Sequence, residues 1–190
     1  MARTRGDESC GALLLIDFQH DFLSDSGRMP VDRNQVRGMI AAARAAIERA
    51  QTAGDLIFKI GNEFRPSDVV GNAFRHHAAI TGSPGTKWDP RLDIADAPYL
   101  VKWKGDAFRN PELHQVLVKN GVERITLAGL YAHACITATA KGAMRRGLEV
   151  RLLVDAIACR SDTSRDAAVI LMRKRGVQLV PTERIEDGRS

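Results

Sequence analysis

The stretch Ala12-Leu13-Leu14-Leu15-Ile16 is an apolar run with no polar residue inside it. A strand with one wet face alternates polar and apolar residues. An unbroken run bounded by polar residues is therefore read as a strand buried on both faces, the situation in a parallel sheet covered by helices. Further strands are read at Leu56-Ile57-Phe58 with Ile60, Tyr99-Leu100-Val101, Ile125 to Ala128, Val150 to Val154 and Val177 to Val180, where apolar residues predominate. Helical patterns lie between most of these runs. Val36, Met39, Ile40, Ala43, Ile47 and Ala50 recur at helical spacing and Gly54 ends the pattern. Pro111 opens a short helix carrying Leu113, Val116 and Leu117, closed by Asn120-Gly121. Further helices are predicted over Ala134 to Arg146 and Asp162 to Lys174, ended by Gly147 and Gly176. Alternation of this kind predicts a doubly wound α/β sheet with right-handed crossovers.

The chain has 190 residues, enough to bury about 70% of its unfolded surface in one core without disulfide or metal support. One domain over 1–190 is expected, with 1–9 as a flexible N-terminus and 61–98 as a substrate-side loop region. The second of these follows a strand's carboxyl end, where open α/β sheets place their ligands. Cys10, Cys135 and Cys159 are odd in number and widely spaced, which argues against a disulfide framework and for a reducing compartment. The apolar run behind the basic N-terminus is too short for a signal peptide or a membrane span. A cytoplasmic protein with no membrane partner is expected. The net charge of +5 is compatible with an anionic substrate but names no nucleic-acid partner. Its arginine clusters, Arg145-Arg146 and Arg173-Lys174-Arg175, lie in last helical turns, where cations complement the dipole.

Chemistry is expected where strands end. Asp17 directly follows the first run. Lys102 and Lys104 both follow the third, and a period of two puts them on one face, so spacing does not choose between them. Cys135 lies in Ala128-Gly129-Leu130-Tyr131-Ala132-His133-Ala134-Cys135-Ile136-Thr137, a strand, a turn and a helix start. Unpaired N–H groups and the positive end of the dipole there favour a thiolate. A thiolate, a carboxylate and an ammonium together can attack a carbonyl, carry a proton and steady charge. His133 is too close to Cys135 in sequence to pair with it across one turn. Asp155 is expected to bond the loops around the site.

These segments resemble the isochorismatase-like cysteine hydrolases, the superfamily of nicotinamidase, N-carbamoylsarcosine amidase and isochorismatase. Leu13 to Phe22 resembles the opening motif with its catalytic Asp, here Asp17. Val101 to Phe108 resembles the segment with the catalytic Lys, which selects Lys102. Gly129 to Ala140 resembles the nucleophile segment and places Cys135 in the reactive position; Val154-Asp155-Ala156 with Ser161-Asp162 resembles the later pattern. The resemblance implies a three-layer sandwich with a six-stranded parallel sheet of order 3-2-1-4-5-6. It also implies a Cys135–Asp17–Lys102 triad and a cis peptide before the nucleophile, at Leu130–Tyr131. It further implies a homodimer or higher homo-oligomer. The substrate-binding residues are then Phe22, Glu63, Phe64, Trp103 and Tyr131, with the backbone N–H groups of Tyr131 and Cys135 as the oxyanion hole.

Nicotinamidases of this superfamily hold a metal through an Asp-x-His element after the second strand. This chain reads Lys59-Ile60-Gly61-Asn62-Glu63-Phe64-Arg65 there, and neighbours such as His76 and His77 diverge on a helix. No metal and no cofactor are expected. Tyr131-Ala132-His133 resembles isochorismatase itself, but its substrate element is not reproduced between Asn62 and Trp88. The function expected is a metal-independent amidohydrolase acting on a small carboxamide, carbamoyl or lactam compound. The alternatives are a vinyl-ether hydrolase with Asp17 as general acid and a lapsed binding or regulatory module.

Overall fold

The computed structural model describes residues 10–92 and 94–184; the segment 1–9 lies outside the described residues. Six parallel strands form one sheet, β1 (Cys10–Ile16), β2 (Leu56–Asn62), β3 (Tyr99–Lys102), β4 (Val122–Leu130), β5 (Glu149–Ala158) and β6 (Gln178–Val180), in the order 3-2-1-4-5-6. The helices are α1 (His20–Leu23), α2 (Arg33–Ala53), α3 (Val69–Phe74), α4 (Pro111–Lys119), α5 (Thr137–Met144) and α6 (Asp162–Lys174). The order reverses beside β1. Right-handed crossovers therefore put α2 on one face of the sheet and α5 and α6 on the other. The apolar run in β1 is the centre of the core, with Ala12 to Ile16 no more than 2% exposed.

Local chemistry sets the element ends. The Asp32 carboxylate accepts from the Asn34 N–H at the start of α2, and Gly54 ends that helix in the left-handed region at φ 74°. Asn110 caps α4 ahead of Pro111, and Ser161 caps α6 by accepting from the Ser164 N–H.

Two elements differ from the sequence pattern. The expected helix over Ala134 to Arg146 is a π-helical turn, Ala132–Ile136, followed by α5. Strand β5 runs past Val154 to Ala158 because it bulges: its pairing with β4 passes from Leu127↔Leu152 to Gly129↔Ile157. Asp155 sits in that bulge and accepts from the Thr182 N–H and hydroxyl beyond β6, rather than bonding loops around the site.

The region between β2 and β3 is irregular but anchored. Buried Gln19 donates to the carbonyls of Asn62 and Thr86 and accepts from the Asn62 N–H. Buried Asp21 accepts from the Ala79 N–H at 2.8 Å. Two side chains that directly follow β1 thus hold the segment over the carboxyl edge of the sheet.

At that edge β4 approaches β1 closely. Gly129 has φ 125°, and a Cβ there would lie 2.0 Å from the Ile16 carbonyl oxygen. Gly129→Ala should therefore destabilise the protein by roughly 2–4 kcal/mol, read as a lower urea midpoint with an unchanged slope. An unaltered midpoint would show that the two strands can separate without penalty.

Candidate active site

The parallel register places the ends of three strands side by side. Ile16 pairs with Ile60 and Gly129, and Asn62 pairs with Lys102. The residue following β1 and the last residues of β2 and β3 therefore meet at one edge. Asp17 leaves β1 in the left-handed region at φ 60°, its N–H donating to the Ile60 carbonyl at 2.7 Å. Lys102 Nζ donates to Asp17 Oδ2 at 2.9 Å, with Lys102 0% and Asp17 1% exposed. Lys104 lies beyond the end of β3, where the strand period no longer holds, and is exposed.

Cys135 enters from the π-helical turn after β4 and is itself buried. Between it and Asp17 stands a residue that the sequence reading missed. Asn62 Nδ2 donates to Asp17 Oδ2 at 2.9 Å and to Cys135 Sγ at 3.5 Å. Its signal in the sequence is faint, a single amide closing an apolar strand, and it becomes legible only once β2 and β3 are in register.

Electrostatics in this cluster follow from burial. Burial, then the Asp17 charge, pushes the Cys135 thiol up to about 11, while Lys102 and the Asn62 amide pull it down. This reverses the expectation that the helix start alone would favour a thiolate. The sulfur lies under the strand ends, where desolvation outweighs the turn. Lys102 remains an ammonium: burial alone would lower its pKa, but the charges of Asp17 and Cys135 raise it further. Burial raises the Asp17 carboxyl, more than Lys102 pulls it down. Asp17 Oδ1 is buried and makes no hydrogen bond among the described residues. The cluster thus holds a protonated sulfur, a fixed cation and a carboxylate oxygen open to a proton.

Of the other expected residues, Tyr131 and Phe22 come together, edge to face at 5.8 Å. The Leu130–Tyr131 peptide is cis. The N–H groups of Ala134 and Ile136, on either side of Cys135, both donate to the Tyr131 carbonyl. Glu63 continues from β2, its N–H donating to the Lys102 carbonyl at 2.8 Å. Phe64 carries the Arg75 guanidinium 3.9 Å over its ring, and Arg65 lies over the exposed Trp103 ring at 5.8 Å. His133 turns away from Cys135, with Nδ1 3.0 Å from Cys159 Sγ. No group of three His, Cys, Asp or Glu side chains among the described residues could hold a metal ion. After β2 stand Glu63, a single carboxylate, and Arg65, a cation with no lone pair for a metal, so the set does not fit the metal that the resemblance associates with nicotinamidases. No described helix is long and apolar enough to cross a membrane.

The model of the isochorismatase domain matches residues 11–184. A nicotinamidase/pyrazinamidase of Mycobacterium tuberculosis is 29% identical over 190 residues, covering 89% of this chain and 97% of that one. A streptothricin hydrolase of Streptomyces noursei is 29% identical over 148 residues, which are 76% of this chain and 53% of that one; this chain spans about half of that relative. The crystal structure of an isochorismatase family protein from Desulfovibrio vulgaris superposes with a TM-score of 0.85 at 23% identity, covering 95% of this chain and 98% of that one.

The charges around the sulfur set a pH dependence. In a Cys10→Ser background, which removes the half-buried competing thiol, iodoacetamide labelling of Cys135 should rise with pH towards a midpoint near 11. Asp17 raises that midpoint and Lys102 lowers it. Asp17→Asn should therefore shift it down, and Lys102→Met up, each by about one unit or more. Labelling rates read by mass spectrometry test this. Shifts in the opposite directions would refute the assigned electrostatics.

Proposed function

The chain belongs to the isochorismatase domain family, and from that membership we propose that it is a cysteine amidohydrolase. It cleaves the C–N bond of a small carboxamide, carbamoyl or lactam substrate through a thioester on Cys135, with no metal in the reaction. The observation that carries this reading is the single buried cluster in which Asn62 bridges Cys135 Sγ to the Asp17 carboxylate while Lys102 holds the same carboxylate oxygen.

Ionising a thiol of pKa about 11 at neutral pH costs roughly 5 kcal/mol. Attack is therefore coupled to proton transfer. Asp17 Oδ1 takes the Sγ proton as sulfur adds to the carbonyl carbon, and Lys102 steadies the charge that moves between them. The carbonyl oxygen becomes an oxyanion facing the N–H groups of Tyr131 and Cys135, an arrangement worth about 3–4 kcal/mol per donor in comparable sites. When the C–N bond breaks, protonated Asp17 gives its proton to the leaving nitrogen. Water then enters and Asp17 takes one of its protons. The resulting hydroxide attacks the thioester, the acid product departs, and sulfur regains a proton. Phe22 and Tyr131 wall the substrate, with Glu63, Phe64 and Trp103 at the outer rim, and a homo-oligomer is the assembly expected.

The raised Asp17 carboxyl favours one other chemistry, protonation of a vinyl ether with Asp17 as general acid and no role for sulfur. Cys135→Ala separates the two. It should lower kcat/KM on a small amide by about a thousandfold or more, and a Cys135 acyl adduct should be trapped in the native protein by rapid quench and intact-mass measurement. Full amide turnover without the thiol would overturn the amidase reading. Isochorismate turnover that survives the substitution would establish the vinyl-ether alternative.

A further inference from the structure

Asn62 has one polar atom that the reaction outlined above leaves idle. The residue is 3% exposed and its backbone is fixed from both sides. Its N–H donates to Gln19 Oε1 and its carbonyl accepts from Gln19 Nε2, each at 2.9 Å, and Gln19 is itself fully buried. The side chain therefore projects from a rigid frame. Its Nδ2 carries two hydrogens, and both are engaged, by Asp17 Oδ2 and by Cys135 Sγ. No N–H of this amide is left to hold an oxyanion.

Asn62 Oδ1 is the atom left over. It is buried and has no hydrogen-bond partner among the described residues. A buried acceptor without a donor is costly, and in a native protein it calls for a ligand or a catalytic role. Turning the amide over does not remove the cost. It would set Oδ1 against the Asp17 carboxylate oxygen, acceptor on acceptor, and give up a bond to a charged group. The other buried acceptor of the cluster without a donor is Asp17 Oδ1. Lys102 Nζ and Asn62 Nδ2 both hold Asp17 Oδ2, so these two oxygens, Asp17 Oδ1 and Asn62 Oδ1, are the ones open to what enters.

The two oxygens differ in what they can do. A carboxylate exchanges protons, whereas a carboxamide oxygen is too weak a base and only accepts a hydrogen bond. Asp17 Oδ1 thus suits the proton that moves from sulfur to the departing nitrogen. Asn62 Oδ1 suits a hydrogen that stays on that nitrogen throughout.

We propose that Asn62 Oδ1 accepts an N–H of the scissile nitrogen, turns that nitrogen's lone pair towards Asp17, and so selects leaving groups that carry at least one N–H. Unsubstituted and monosubstituted amides, carbamoyl compounds and lactams have that hydrogen; esters and N,N-disubstituted amides lack it. This selectivity rests on the amidase reading above. As the C–N bond breaks, the nitrogen takes the proton from Asp17 Oδ1 while its own N–H remains on Asn62. Approached from the thioester, the same contact favours an amine over water. The nitrogen of hydroxylamine adds to the acyl carbon and gives a proton to Asp17, the C–S bond breaks, and sulfur takes that proton as the hydroxamate leaves.

The test acetylates Cys135 with p-nitrophenyl acetate, whose activated leaving group needs neither a proton nor an N–H contact. It uses the full chain carrying Cys10→Ser. The acetylated protein is freed of ester, hydroxylamine is added, and acetohydroxamate is measured against acetate. This product ratio does not depend on how much of the protein is folded or acetylated. In the native site it should exceed that of the free thioester S-acetyl-N-acetylcysteamine by about tenfold, the worth of one hydrogen bond to a buried acceptor. Asn62→Leu should bring it down to the free-thioester value. Asn62→Asp keeps an oxygen at that position but removes both donated bonds. It should slow acetylation and leave the ratio within about twofold of native. A native ratio equal to that of the free thioester, no change in Asn62→Leu, or an equal loss in both variants overturns the selectivity and leaves thioester chemistry standing. No acetyl group on Cys135 at all overturns the amidase reading and the selectivity with it.

Discussion

The site depends on one ion pair that the fold has taken entirely out of water. Lys102 and Asp17 meet at 2.9 Å with essentially no exposure of either side chain. Removing one member of such a pair typically costs 3–5 kcal/mol, because it strands the other charge. The sheet edge is arranged around avoiding that outcome. β1 delivers the carboxylate, β3 the ammonium, and β2, between them, supplies the Asn62 amide that gives the carboxylate a second donor. The same amide reaches the sulfur, so the group that helps neutralise Asp17 also bonds Cys135. Packing and chemistry are coupled here through a single hydrogen-bond network.

Burial then decides which way the proton moves. In water a thiol at a helix start is eased towards thiolate. Under the strand ends the balance reverses, and the sulfur keeps its proton until a base beside it can take it. In the proposed reaction Asp17 offers its unbonded oxygen for this, and Lys102 keeps the pair from drifting apart as charge moves. A resting thiol is also a poorer target for stray electrophiles than a resting thiolate.

Much of this was legible from residue order. The unbroken apolar run announced a central strand, and Asp17 at its end announced the sheet edge. The choice of Lys102 over Lys104 needed the family resemblance; the structure supplies its physical reason, since the strand stops at Lys102 and leaves Lys104 in water. Asn62 stayed hidden because its role arises from neighbours in space, Asp17 and Cys135, 45 and 73 residues away in sequence. The bulge that carries β5 past Asp155 was hidden for a similar reason: a polar residue inside a strand reads as an end until the pairing with β4 is known.

By itself the sequence determined the succession of strands and helices, because periodicity and end residues are local and act before distant segments meet. It also determined which thiol stands at a strand-to-helix turn. Only the tertiary structure decided how the site is wired and charged. Hydrogen-bond partners, desolvation and the pairing of charges depend on what lies within a few ångströms in space, and three strands from separate parts of the chain supply those neighbours at one sheet edge.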